Sequence, residues 1–129
     1  MYESDAAELS NVRADVSRAL VALGVTPESE LAATTLLMAD ELASSAITHA
    51  CTPFTVAVMS TRHGVCVEVR DGSPAMPVEL HRLDSNSGRQ PGLGLALVRQ
   101  FSAAWGADRD GDGKTVWSVI DRSRLAPAE

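Results

Sequence analysis

Four short runs hold residue types able to do chemistry. The first is a polar stripe, Glu41, Ser45, Thr48 and His49, inside an otherwise apolar segment. On a helix it would set a carboxylate, a hydroxyl and an imidazole on one side, with Leu36, Ala39, Ala43, Ala46, Ile47 and Ala50 roughly opposite. Leu37, Met38 and Leu42 flank the stripe and partly enclose it, and an enclosed carboxylate needs a partner or a task. The second run, Asp71-Gly72-Ser73-Pro74, places a carboxylate where an alternating segment ends. In the third, from Gly88 to Gln100, the residues Gly88, Gly92 and Gly94 let backbone approach a ligand, and a helix begins at Leu93. The unpaired N–H groups of its first turn and the positive end of its dipole form a cradle for an anion such as phosphate. The fourth, Gly113-Lys114-Thr115, includes the chain's sole lysine.

Several familiar readings of these runs fail. Gly111 to Thr115 imitates the end of a Walker A loop, but Asp108 stands where its first glycine is required, and an alternating strand follows instead of a helix. Gly92-Leu93-Gly94 lacks the third glycine of a dinucleotide fingerprint and does not follow a strand. His49, His63 and His81 are dispersed without metal-ligand spacing. Cys51 and Cys66 lack the Cys-x-x-Cys spacing and lie among apolar residues, which reads as two buried thiols.

The elements that must position these runs follow from periodicity. Leu9, Val12, Val16, Leu20 and Leu23 predict a helix from about Asp5 to Leu23, with Asp5 and Glu8 as a capping box and Gly24 as its stop. Thr26 and Pro27 read as N-cap and first helical residue of a longer helix running unbroken to Ala50. Phe54 to Ser60 and Val65 to Val69 alternate about Arg62-His63-Gly64, a β-hairpin. The pattern is lost from Ala75 to Arg89, a stretch that reads as a mobile loop. A helix from Leu93 to Trp105 follows, and then a second hairpin, Ala107 to Asp110 and Thr115 to Ile120 around Gly-Asp-Gly. This order implies an α+β two-layer sandwich, a mixed, mostly antiparallel sheet with three helices on one face.

Composition narrows the class. A chain of 129 residues suits a single domain spanning 1–129. Eleven basic residues against seventeen acidic ones give a net charge of −6, which opposes binding to a nucleic-acid backbone and suits a basic protein partner. No apolar run reaches membrane-spanning length and the acidic start is unlike a signal peptide, so a cytoplasmic protein is expected.

Taken in order, Glu41-Leu42-Ala43-Ser44-Ser45-Ala46 with His49, Asp71-Gly72-Ser73-Pro74, the Gly88 to Leu95 loop and Gly113-Lys114-Thr115 resemble the histidine-kinase-like (Bergerat) ATPase family. In that family an N box, an aspartate box, a glycine-rich lid end and a final Gly-x-Thr element build the nucleotide site. Within it the chain is similar to the small single-domain bacterial anti-sigma-factor serine kinases. The resemblance implies the Bergerat ATP-binding fold, with ATP as ligand and Asp71 accepting the adenine amino group. It implies that Gly72 lets the base lie against the backbone and that Thr115 helps to fix Asp71 and a bridging water. Gly88, Gly92, Leu93, Gly94 and Leu95 would take the phosphates, and Glu41 would be the catalytic base toward a serine on a partner protein. The implied partners are a sigma factor and an anti-anti-sigma (STAS) protein, with a homodimer as a further expectation.

One position departs from that pattern. Family members carry asparagine four residues after the glutamate, where its amide oxygen ligates Mg²⁺, and here the residue is Ser45. A serine hydroxyl is shorter and a poorer ligand for an ion that demands near-ideal octahedral geometry. Phosphoryl transfer depends on positioning and charge neutralisation, so the departure bears more on kinase activity than on adenine binding. Two readings stay open: a serine kinase impaired at Ser45, and a protein-binding module acting without phosphotransfer.

Overall fold

The computed structural model describes residues 1–75 and 93–125. Asp5 caps a 3₁₀ turn, Ala6–Glu8, by accepting from the Ala7 N–H, and helix α1 follows over Leu9–Ala22. The Glu8 carboxylate reaches back to the N–H of Glu3 and not to that of Asp5, so the capping box is displaced by two residues. Gly24, at φ +84°, closes α1 with Val25 N–H bonded to Leu20 O and Gly24 N–H to Val21 O. That pair of bonds needs a left-handed residue, which glycine supplies without a Cβ clash.

Helix α2 spans Glu30–Ser45 and begins three residues later than Thr26-Pro27 suggests. Thr26 to Ser29 instead forms a turn closed by Ser29 N–H on Thr26 O at 3.0 Å, and the Ser29 hydroxyl caps Ala32 N–H at 3.1 Å. Pro27 thus serves as the second residue of a turn, for which its fixed φ is equally suited. The helix is not uniform to Ala50, because Ala46–Ala50 is π-wound, with Cys51 N–H on Ala46 O, and Cys51 leaves it in the left-handed region at φ 56°. Cys51 is exposed and Cys66 half-buried, which corrects the expectation of two buried thiols. Burial and the neighbouring Glu68 both push the Cys66 thiol up in pKa, burial the more.

Strands β1 (Phe54–Ser60), β2 (Gly64–Asp71), β3 (Ala104–Asp110) and β4 (Gly113–Asp121) form one antiparallel sheet in the order β1-β2-β4-β3. Helix α3, Leu93–Phe101, precedes β3. It ends four residues before Trp105, because Ala103 N–H bonds Val119 O and pairing with β4 captures Ala104 and Trp105 as strand. Tyr2 extends the sheet edge by bridging Phe54, and its hydroxyl donates to Asp15 of α1.

The result is an α+β sandwich with the helices on one face. Side chains alternate along a strand, so Val65, Val67, Val69 and Asp71 of β2 and Lys114, Val116, Ser118 and Ile120 of β4 meet the helices and are buried. Val12, Val16 and Leu20 of α1, Leu31, Met38 and Leu42 of α2, and Val98 of α3 complete the core. Helix α2 packs against α1, α3, β2 and β4, so its buried face is broader than one stripe. It includes Thr34 and Thr35, which the sequence wheel leaves out, while Leu36 is only partly buried. Among the described residues no helix is long and apolar enough to cross a membrane.

Candidate functional site

Asp71 is the last residue of β2 and only 2% exposed. A carboxylate that deep requires compensation, and it has two sources. Its Oδ1 accepts the Ser73 N–H at 2.8 Å, and the Lys114 ammonium lies 3.1 Å from Oδ1 and 3.1 Å from Oδ2. Lys114 is itself 4% exposed and gives a second hydrogen to the Ser73 carbonyl at 3.2 Å. Two of the three ammonium hydrogens are thus bonded inside the protein, and the carboxylate supplies the counter-charge.

The register explains the meeting. Asp71 lies opposite Lys114 across β2 and β4, with Gly113 just before it. A Cβ on Gly113 would collide with the Asp71 carbonyl oxygen and crowd the Arg70 guanidinium, so glycine is needed for the two strands to approach here. The turn after β2 is tied from three sides: Gly72 N–H to Thr52 Oγ1 at 2.9 Å, Lys114 to Ser73 O, and Arg109 Nε to Pro74 O at 2.9 Å.

Above this pair runs the junction of α2 with its π turn. Ser45 and His49, one turn apart, join Leu42, Ala46, Val69, Asp71, Lys114 and Val116 around a cleft of about 10 Å³. That is room for about one water molecule. Two of the sequence runs, the α2 stripe and the Asp71 turn, therefore converge on a single cleft, and Lys114 brings in a third. Helix α3 packs on α2, but Gly88 and Gly92 lie outside the described residues, as does Ala75 to Arg89 apart from Ala75 itself.

Thr115 is placed differently from the expectation. It pairs with Arg70 and, by strand alternation, faces the side of the sheet away from Asp71. The partner of Asp71 on β4 is Lys114, which sequence reasoning passed over as a site residue although it named the run. A signal was present, since a lone lysine at an even position of an alternating strand shares its face with Val116 and Ser118. Gly72 is exposed, and a Cβ there would meet Thr52 at an ordinary 3.6 Å. Gly94, Leu93 and Leu95 occupy the first turn of α3.

Glu41 sits one turn before Ser45 on α2 and is half-buried. Burial first, and the adjacent Asp40 second, raise its carboxyl pKa above the usual glutamate range. Arg13 holds Asp40 at 3.2 Å. Raised basicity is what a general base requires, provided that a proton donor comes within reach.

A family model for the histidine kinase-like ATPase domain matches residues 2–120. The chain belongs to that family. No curated protein matches it. In this ATPase domain the chemistry of the cleft fits an adenine edge, because Asp71 Oδ2 can accept an amino hydrogen. The space does not fit, because the cleft that Lys114 helps to line holds only about 10 Å³. For Mg²⁺, Ser45 offers the cleft a neutral hydroxyl, and among the described residues no three His, Cys, Asp or Glu side chains gather as a metal site.

Proposed function

We propose that this ATPase domain is a cytoplasmic, ATP-binding regulator of the anti-sigma type. It sequesters a sigma factor and phosphorylates a serine on an anti-anti-sigma (STAS) partner, whose binding releases the sigma factor. The observation that carries this reading is the buried Asp71 at the end of β2, opposite Ser45 and His49 of α2 in one cleft. Bound ATP would supply the transferable phosphoryl group. Glu41 would orient the partner serine and take its hydroxyl proton, for which its raised pKa is suited. Positioning and charge, rather than covalent chemistry, would carry the remainder of the rate.

The second reading, a protein-binding module without phosphotransfer, is favoured by Ser45 at the metal-ligand position and by the filled cleft. Both readings are tested with the purified chain. Millimolar ATP with Mg²⁺ should raise the melting temperature, and Asp71→Asn should reduce that rise. Labelled γ-phosphate should then pass to the serine of a cognate partner. Binding without transfer would select the second reading, and no thermal shift would remove the nucleotide from both.

A further inference from the structure

We infer that Lys114 sets the nucleotide affinity of this domain by holding Asp71 in an internal ion pair that a purine must open. The inference rests on the ATP-binding reading above and adds the residue that opposes it. Three observations meet. The ammonium of Lys114 donates to Asp71 Oδ1 and to Ser73 O and lies within ion-pair distance of Asp71 Oδ2. Both side chains are almost without solvent contact, so the pair is an inward-facing structure and not a surface contact. The cleft above them holds about 10 Å³, too little for a base.

A ligand entering between α2 and the β2–β4 ladder therefore has to displace the lysine side chain. Separating a buried pair leaves each charge without its partner unless the ligand replaces what is lost. An adenine amino group restores one hydrogen bond to Asp71 but no positive charge. The expected cost is a loss of affinity on the order of 10²-fold relative to a site without the pair. Ser73 takes part as well: its N–H binds Asp71 and its carbonyl binds Lys114, so opening the pair also frees the turn at 72–74.

Two measurements test this. Lys114→Met keeps length and apolar bulk without the charge, and its flexible side chain can yield to a ligand. It should bind ATP at least tenfold more tightly by calorimetry while melting at a lower temperature. A residue that only supports the fold would lower both, so equal or weaker affinity in the variant overturns the inference. The second measurement uses the wild-type chain, in which Lys114 is the sole lysine. Reductive methylation followed by peptide mass spectrometry distinguishes it from the terminal amine. Lys114 should be protected without ligand and label faster at saturating ATP; unchanged protection with ATP bound overturns the inference even if Lys114→Met does not fold. If neither wild type nor variant binds millimolar ATP, the nucleotide reading itself fails, whereas tight wild-type binding with Lys114 still protected defeats the inference alone.

Discussion

Asp71 and Lys114 face each other from adjacent strands, 3.1 Å apart at both carboxylate oxygens, on the sheet face that the helices cover. Their pairing ties the end of β2 to the start of β4 and joins the stability of the fold to the state of the cleft.

Removing one partner should cost more than removing both. Asp71→Ala leaves an ammonium buried without a counter-charge, and an expected loss of about 3–5 kcal/mol follows for breaking such a pair. The double variant Asp71→Ala with Lys114→Met should lose less than the sum of its two single changes, because neither uncompensated charge remains. Urea unfolding at neutral pH gives both numbers. Additive losses would mean that the pair is not coupled.

Two glycines near the site should respond unequally to alanine. At Gly113 a Cβ collides with the Asp71 carbonyl oxygen, so the β2–β4 approach must widen, at an expected cost of about 1–3 kcal/mol for overpacking. At Gly72 the added methyl meets only the Thr52 side chain at 3.6 Å, and little stability should be lost. Thermal melts of the two variants compare them directly.

Glu41 should leave a signature in the pH dependence of stability. Its folded pKa is raised by burial and then by Asp40, so the native state holds the proton more tightly than the unfolded chain does. Stability from this group is complete below the ordinary glutamate value and is lost as pH rises through the higher folded value. Glu41→Gln should remove that decline, giving a flatter profile from pH 4 to 8 in urea midpoints. If Glu41 acts as general base, the same variant should slow phosphotransfer by roughly 10²–10⁴-fold without weakening ATP binding.

Ser45→Asn restores a longer amide oxygen at a position that lines the cleft. If the domain transfers phosphate with Mg²⁺ as proposed, transfer to a cognate partner should rise with ATP affinity nearly unchanged, because such a metal would act on the phosphates and not on the base. Equal transfer by both proteins would show that the hydroxyl already suffices.

What the amino-acid sequence determined by itself was local. Alternation marked β1, β2 and β4, the Gly-Asp-Gly turn marked the end of β3, Gly24 marked the end of α1 through a left-handed residue that needs no distant contact, and Asp71 was visible as a carboxylate at a strand terminus. Boundaries failed where two local solutions had similar energy. Thr26-Pro27 suits a turn as well as a helix start, and Trp105 fits the end of a helix or the start of a strand. Only the pairing of β3 with β4 and the cap from Ser29 chose between them.

The tertiary structure alone decided which β4 residue meets Asp71. A shift of one residue in strand register turns every side chain to the opposite face, so whether Lys114 or Thr115 reaches the cleft depends on how β2 and β4 align, more than forty positions apart in the chain. No local pattern contains that alignment. It emerges from the burial of Val65, Val67 and Val69 against Val116, Ser118 and Ile120, and the same packing that builds the core seals a lysine onto the carboxylate at its edge.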